Sequence, residues 1–131
     1  MSAVEPSEVQ HIFPENVPPP GGPYTPVVVA GGMIYVCGQV GRTPANEMVV
    51  DEIGAQTRQA LENIGTCLAA AGATYTDVVK VNAYLRDWAD FKVFNEVYTG
   101  FFREPLPART TVPSPFPVIR VEVDCVARVP R

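Results

Sequence analysis

Residues 120–129 read RVEVDCVARV, a clean alternation of apolar and polar side chains. One side of this stretch carries Val121, Val123, Cys125, Ala127 and Val129, and the other carries Glu122, Asp124, Val126 and Arg128. A period of two residues predicts a β-strand with one side in a hydrophobic core. The rest of the chain must therefore supply a layer that covers the apolar side.

Working back from this strand, the sequence predicts five further elements. It favours a hairpin closed by Gly31-Gly32, a helix opened by Asp51, a partly alternating strand and a second helix capped by Asp87. In chain order these elements span residues 27–30, 33–37, 51–72, 78–85 and 87–101, with room for a short extra strand at 110–112.

The order β-β-α-β-α-β with short links predicts one α+β domain over residues 1–131, with two helices on one face of a mixed sheet. Residues 1–23, rich in proline and glycine, are expected to form an extended arm rather than a helix or a central strand. Two layers leave the other sheet face uncovered. Because the 78–85 strand also carries apolar residues toward that side, burial by another subunit is expected.

Length and charge exclude several classes of function. A chain of 131 residues is too short for a cofactor domain beside a separate substrate domain. A net charge of −4 and a pI near 4.9 count against nucleic-acid binding, which needs a basic surface. No apolar run approaches the ~18–20 residues of a membrane span. The N-terminus lacks a secretory layout, and three widely spaced cysteines indicate a reducing cytoplasm.

Neither a metal nor a cofactor is expected. The three cysteines and the single histidine, His11, show no metal-ligand spacing, and no glycine-rich phosphate motif is present. Cys37 ends a strand next to Gly38, but no activating base is evident near it. Thiol catalysis is therefore not expected.

Three other side chains are candidates for a site. Arg109 lies where a proline-stiffened loop enters a β-branched strand; its planar guanidinium suits a substrate carboxylate, or it is a surface arginine. Glu122, on the polar side of the last strand, could orient or deprotonate a water, or belong to a solvated face. Tyr24 either lines a pocket or anchors the arm.

Several short motifs, read together, carry a resemblance. They are GPY at 22–24, CGQV at 37–40, AQTRQALEN at 55–63, AAAGA at 69–73, DVVK at 77–80, DF at 90–91, FNEVY at 94–98, FF at 101–102 and PAR at 107–109. As a set they closely resemble the Rid family (reactive intermediate deaminases, also YjgF), over roughly residues 16–129. Members of that family hydrolyse enamines and imines to keto acids and ammonia.

The resemblance implies a chorismate-mutase-like fold assembled as a homotrimer, with active sites between subunits. Arg109 matches the family arginine that binds the substrate carboxylate, and Glu122 matches the acidic residue proposed to position water. Tyr24 and Gly38 match pocket positions, and Cys37 and Thr111 are expected to contact the substrate as well. A 2-imino acid is already electrophilic at its C=N carbon, so one arginine and one carboxylate suffice without metal or cofactor. The implied activity is that of a 2-iminobutanoate/2-iminopropanoate deaminase, with a small imino acid as its partner.

Three departures from the family pattern bear on the substrate. Cys37 replaces a common serine, Thr111 stands where many imine deaminases of the family have cysteine, and the proline-rich stretch 113–117 differs from the usual loop. A 2-aminomuconate-type deaminase therefore stays open as an alternative. So do an endoribonuclease or translation inhibitor, and a non-catalytic trimer that binds small carboxylates.

Overall fold

The computed structural model describes residues 8–130. It contains six strands and two helices: β1 Val9–Ile12, β2 Val27–Ala30, β3 Met33–Val40, α1 Ile53–Ala70, β4 Val78–Leu85, α2 Phe91–Tyr98, β5 Ala108–Pro113 and β6 Val121–Arg128. Single three-ten turns, Tyr75–Asp77 and Trp88–Asp90, precede β4 and α2. The strands form one sheet in the order β1-β2-β3-β6-β4-β5.

The predicted α+β architecture with a mixed sheet is confirmed. β6 lies inside the sheet and pairs antiparallel with both β3 and β4, while β5 pairs parallel with β4. α1 packs on β3 and β6, and α2 packs along α1, so the helices form one layer. The stretch that alternates in sequence alternates in space as well, because Val121, Val123, Cys125 and Ala127 are all buried against that layer.

The core between sheet and helices is apolar and closely packed. Leu61, Ile64 and Leu68 of α1 and Phe94 of α2 are fully buried in it. Burying a leucine, isoleucine or phenylalanine side chain contributes roughly 1.5–3 kcal/mol, so this layer holds the sheet in a fixed register. The other face of the sheet stays half-exposed, and Tyr35 on that face is 47% exposed.

The hairpin between β2 and β3 forms as predicted. Gly31 and Gly32 both adopt positive φ, 58° and 79°, which a two-residue turn of this hand requires at both positions. β3 then continues beyond Cys37 to Val40 through an irregularity. Its pairing with β6 passes from Val36 opposite Cys125 to Gln39 opposite Val123, which leaves one extra residue on β3 as a β-bulge.

Both predicted helix starts were wrong by a few residues. Glu52, not Asp51, caps α1, since its carboxylate accepts from the backbone N–H groups of Gly54 and Ala55. Asp51 instead accepts a 2.7 Å hydrogen bond from Arg120. Because Asp51 binds Arg120, Glu52 is the one of the two adjacent acidic residues that caps the helix.

The second helix is shorter than predicted. Asp87 accepts from Ala89 N and caps the three-ten turn, so α2 proper begins at Phe91. α2 ends at Tyr98, and the N–H of Phe101 donates to Tyr98 O in a tighter turn. Gly100 explains the early end, because glycine inside a helix costs about 1 kcal/mol relative to alanine.

The N-terminal arm is extended where it is described. Val9–Ile12 pairs with β2 as an edge strand, and the prolines at 18–20 continue without regular structure. Residues 1–7 of the predicted arm lie outside the described residues. The extra strand at 110–112 exists and is longer than expected, since it runs over the whole of β5.

Candidate active site

Four of the predicted site residues line one cleft. Tyr24, Cys37, Gly38 and Glu122 face a cavity of about 230 Å³ whose outer wall is formed by the prolines at 18–20. The β-bulge places Cys37 and Gly38 beside Glu122 of the neighbouring strand. The arm therefore closes over the polar face of β6 and turns it into a concave site.

Gly38 is required by the close approach of Glu122. A Cβ atom at position 38 would overlap the Glu122 carboxylate. Glycine thus leaves room for a carboxyl group at the floor of the cleft, and the bulge supplies the turn that presents it.

The Glu122 carboxyl group is suited to proton transfer. It accepts no side-chain or backbone hydrogen bond from residues 8–130. Burial raises the pKa of Glu122, and the negative charge of Asp124 raises it further. A carboxyl group with a pKa above its ordinary value can accept a proton from water and return it at a later step.

Cys37 is a thiol in this cleft rather than a nucleophile. Gln39 Nε2 donates to Cys37 Sγ at 3.4 Å and lies 3.8 Å from Cys67 Sγ. Burial raises the pKa of Cys37, and it raises the pKa values of Cys67 and Cys125 to about 12. All three cysteines therefore stay protonated at neutral pH, which agrees with the expectation of no thiol catalysis.

Arg109 lies in a second cleft, on β5. Its Nη2 donates to Asn95 Oδ1 of α2 at 2.7 Å. The guanidinium carbon lies 4.7 Å from the centre of the Tyr98 ring and 5.3 Å from that of Phe94, with Phe91 at 5.8 Å. The cavity in front of it has a volume of about 280 Å³.

No carboxylate neutralises Arg109 within residues 8–130. The ion pairs formed there belong to Arg86, Arg120 and Arg128. A half-buried guanidinium held only by an amide oxygen and aromatic rings keeps its charge and most of its five N–H donors available. Such a group fits a bidentate carboxylate ligand.

The Tyr98 hydroxyl is buried close to the Arg109 guanidinium and makes no hydrogen bond of good geometry in the part of the chain that the structure describes. Burial raises the pKa of Tyr98, while the positive charge of Arg109 and its N–H groups near the hydroxyl act in the opposite direction.

A single chain does not bring Arg109 and Glu122 together. β4 separates their strands, and they pair with Val81 and Tyr84 of β4 respectively. Positions 81 and 84 are an odd number of residues apart, so the two side chains leave opposite faces of the sheet. With strands about 4.8 Å apart and a rise of about 3.3 Å per residue, their Cα atoms are separated by roughly 14 Å.

The other sequence departures lie outside both clefts. Thr111 is half-buried on β5 opposite Ala83, two residues beyond Arg109 on the same side. The stretch 113–117 follows β5 and is held by a 2.8 Å hydrogen bond from Ser114 N to Leu85 O. Neither cleft includes a residue from this stretch.

A family model described as Endoribonuclease L-PSP matches residues 14–129. The chain belongs to this family, the Rid (YjgF/L-PSP) family. The RutC family protein PH0854 of Pyrococcus horikoshii is 47% identical over 102 residues, which are 77% of this chain and 81% of that protein.

Two further relatives carry activities in their names. The 2-iminobutanoate/2-iminopropanoate deaminase of Dermatophagoides farinae is 43% identical over 72% of this chain and 75% of its own length. The 3-aminoacrylate deaminase RutC of Acinetobacter baylyi is 42% identical over 77% and 81%. Among solved structures, TdcF of E. coli with bound serine is 30% identical, covers 91% of this chain and 98% of its own, and superposes with a TM-score of 0.85.

Sequence reasoning missed the residues that hold the site residues of this Rid protein in place. Asn95 lies inside the FNEVY motif, which was read only as part of the family pattern. Asp124 alternates with Glu122 on the polar side of β6, and this spacing was a usable signal. Gln39 follows Gly38 directly, but only the fold shows that its side chain lies between two cysteines.

Residues 8–130 contain neither a metal-binding cluster of side chains nor a helix that could span a membrane. No group of three or more histidine, cysteine, aspartate and glutamate side chains is placed to hold a metal ion. No helix is long and apolar enough to cross a membrane.

Proposed function

We propose that this Rid protein is an enamine/imine deaminase that hydrolyses 2-aminoacrylate and small 2-imino acids to 2-keto acids and ammonia. The observation that carries the proposal is the guanidinium of Arg109, which is held by Asn95 and aromatic rings with no carboxylate partner within residues 8–130. The names of the Dermatophagoides and Acinetobacter relatives support the same reaction class.

The reaction needs few groups. The Arg109 fork holds the substrate carboxylate, and Glu122 takes a proton from a water as its oxygen attacks the C=N carbon. Glu122 returns this proton to the nitrogen, which gives a carbinolamine. Glu122 then moves the proton of the new hydroxyl group to the nitrogen, so the C–N bond breaks as the C=O bond forms, and ammonia and the keto acid are released. An enamine first gains a proton at its terminal carbon and loses one from its nitrogen to become the imine. Every proton is supplied by water or by Glu122, and the proposal includes no metal or cofactor.

The separation of Arg109 from Glu122 supports a site shared between subunits. Because the two side chains leave opposite faces of one sheet, one bound substrate reaches both only if a second copy contributes one of them. The half-exposed sheet face that bears Glu122 and Tyr35 provides a surface for that copy. We propose a homotrimer in which Arg109 of one subunit faces the Glu122 cleft of the next.

RNA cleavage, which the description of the family model names, has less support in this chain. The single histidine, His11, lies exposed on the edge strand β1 and lines neither cleft. The net charge of −4 does not favour a polyanion. A cytoplasmic location stays a prediction.

The proposal is tested by turnover of a panel of substrates. 2-Aminoacrylate is generated in situ by a serine dehydratase, alongside longer 2-imino acids and 2-aminomuconate, and ammonia release is followed with wild-type and Arg109→Ala protein. Losing the charged partner of a bound carboxylate costs on the order of 2–5 kcal/mol, so kcat/KM falls by about 30-fold to several thousand-fold. Arg58→Ala, at an exposed position of α1, is the control. Equal rates for Arg109→Ala and wild type would overturn the assignment.

A further inference from the structure

Asp124 is the centre of a hydrogen-bonded cluster on the same sheet face as Glu122. Its Oδ1 accepts from Asn82 Nδ2 at 2.9 Å, and its Oδ2 accepts from the Tyr84 hydroxyl at 3.0 Å. Asn82 lies directly opposite Asp124 on β4. Both carboxylate oxygens therefore accept from a neutral donor on β4, which fixes the position of the carboxylate on this face.

Glu122 has the opposite environment two residues away. Side chains two residues apart on a strand share a face, and their Cα atoms are roughly 6.6 Å apart. Tyr84 is the direct cross-strand partner of Glu122, yet its hydroxyl reaches diagonally to Asp124. Glu122 is left without a donor in the part of the chain described, at the floor of a cleft walled by prolines.

We propose that Asp124 is a positioning residue for the reaction: Asn82 and Tyr84 fix its carboxylate on the face that bears Glu122, and its negative charge, together with burial, favours a proton on Glu122. The inference rests on the proposed deaminase function and concerns how its acid–base group is set. When two neighbouring carboxyl groups lie in different environments, one keeps its negative charge and the other carries the proton.

The other polar groups around Glu122 leave this assignment unchanged. Cys37 of β3 is a protonated thiol, and Tyr84 of β4 is a phenol whose pKa is raised by burial and by Asp124. Tyr24 comes from the arm. Arg42, in the same cleft, directs Nη1 to the carbonyl oxygen of Asn46 at 3.3 Å and forms no ion pair with Glu122. Asp124 is thus the fixed charge that acts on Glu122, in addition to burial.

The test is the pH dependence of kcat/KM for Asp124→Asn. Asparagine keeps an acceptor oxygen for the cluster but removes the negative charge. The pKa of Glu122 then falls. The acid limb of the pH profile, which is the range where protonation of Glu122 lowers kcat/KM, therefore moves to lower pH. Glu62→Gln removes one charge from the exposed side of α1 and leaves the limb in place. An acid limb at the same pH in wild type and Asp124→Asn would overturn the inference.

A second measurement separates this inference from the deaminase proposal. Titration of the Glu122 side-chain carboxyl carbon by NMR, in wild type and Asp124→Asn, follows the same coupling without turnover. A midpoint that moves to lower pH in the variant supports the role of Asp124 even if no imine is hydrolysed. A midpoint that stays in place contradicts it even if the enzyme is fully active.

Discussion

Arg109 donates a 2.7 Å hydrogen bond to Asn95, and the aromatic rings that contact its guanidinium are neutral as well. The side-chain amide of Asn95 on α2 thereby fixes the Arg109 guanidinium without neutralising its charge. Arg120 shows the contrast, since it lies between Asp51 and Asp90 at 2.7 and 3.4 Å. Arg120 joins elements of the fold, whereas Arg109 has no carboxylate partner within residues 8–130.

Asn95→Asp is expected to weaken substrate binding strongly while leaving the fold intact. The new carboxylate sits at hydrogen-bond distance from the guanidinium and competes with the carboxylate of the substrate. We expect KM to rise by about tenfold or more, which corresponds to ~1.4 kcal/mol, with a smaller change in kcat. Steady-state kinetics with 2-aminoacrylate measure this, and an unchanged or higher Tm shows that the fold is intact. A KM equal to that of wild type would mean that Arg109 does not hold the substrate.

Gly38→Ala is expected to reduce activity more than stability. Its Cβ would overlap the carboxylate at the end of the flexible Glu122 side chain, so that side chain moves and its carboxylate leaves its place in the cleft. We expect a reduced kcat with a small change in the midpoint of chemical unfolding. Gly21→Ala is the matched control, because position 21 lines the same cleft but a Cβ there meets no atom within 4 Å. Equal losses in both variants would show that the approach of Glu122 is not what requires glycine at 38.

Glu122→Gln is expected to abolish most activity and to stabilise the fold at neutral pH. The pKa of Glu122 is raised in the folded protein, so ionising it disfavours folding. This destabilisation is absent below the unfolded-state pKa, near 4.3, and develops as pH rises through the folded pKa. Thermal unfolding at pH 4 and pH 8 tests this. The gain in Tm should be larger at pH 8, and a gain of equal size at both would show that ionisation is not its cause.

Some parts of the fold could be predicted from the sequence because their buried side chains recur with the period of a strand or of a helix. The alternation of β6 and the apolar side of α1 are examples. The limits of α2 could not be predicted. Asp87 and Asp90 are both residue types that suit a helix start, and the free-energy cost of Gly100, which weakens the last turn, is modest. The cap of α1 depended on Arg120, which lies more than sixty residues away in the chain.

The resemblance to the Rid family suggested candidate residues but not how the fold arranges them. Tyr24, Gly38 and Glu122 lie in one cleft, and their roles there stay predictions. The separation of Arg109 from Glu122 depends on the strand order, in which β4 lies between β6 and β5. No local pattern encodes that order. Asn95 could not be predicted as a site residue either, because its contact with Arg109 joins α2 to the edge strand β5, which pairs parallel with β4.

The central claim is that one active site takes Arg109 from one subunit and Glu122 from another. Arg109→Ala and Glu122→Gln chains, each expected to be nearly inactive alone, are co-expressed with different tags, and the mixed oligomers are purified. In a trimer with two chains of one kind and one of the other, an Arg109 donor meets a Glu122 donor at one of the three interfaces, so about one site in three is intact.

Deaminase activity of the mixed oligomers is therefore expected at about a third of the wild-type value, with native mass spectrometry confirming that both chains are present. Activity no higher than that of either variant alone, in oligomers shown to be mixed, would contradict a site shared between subunits.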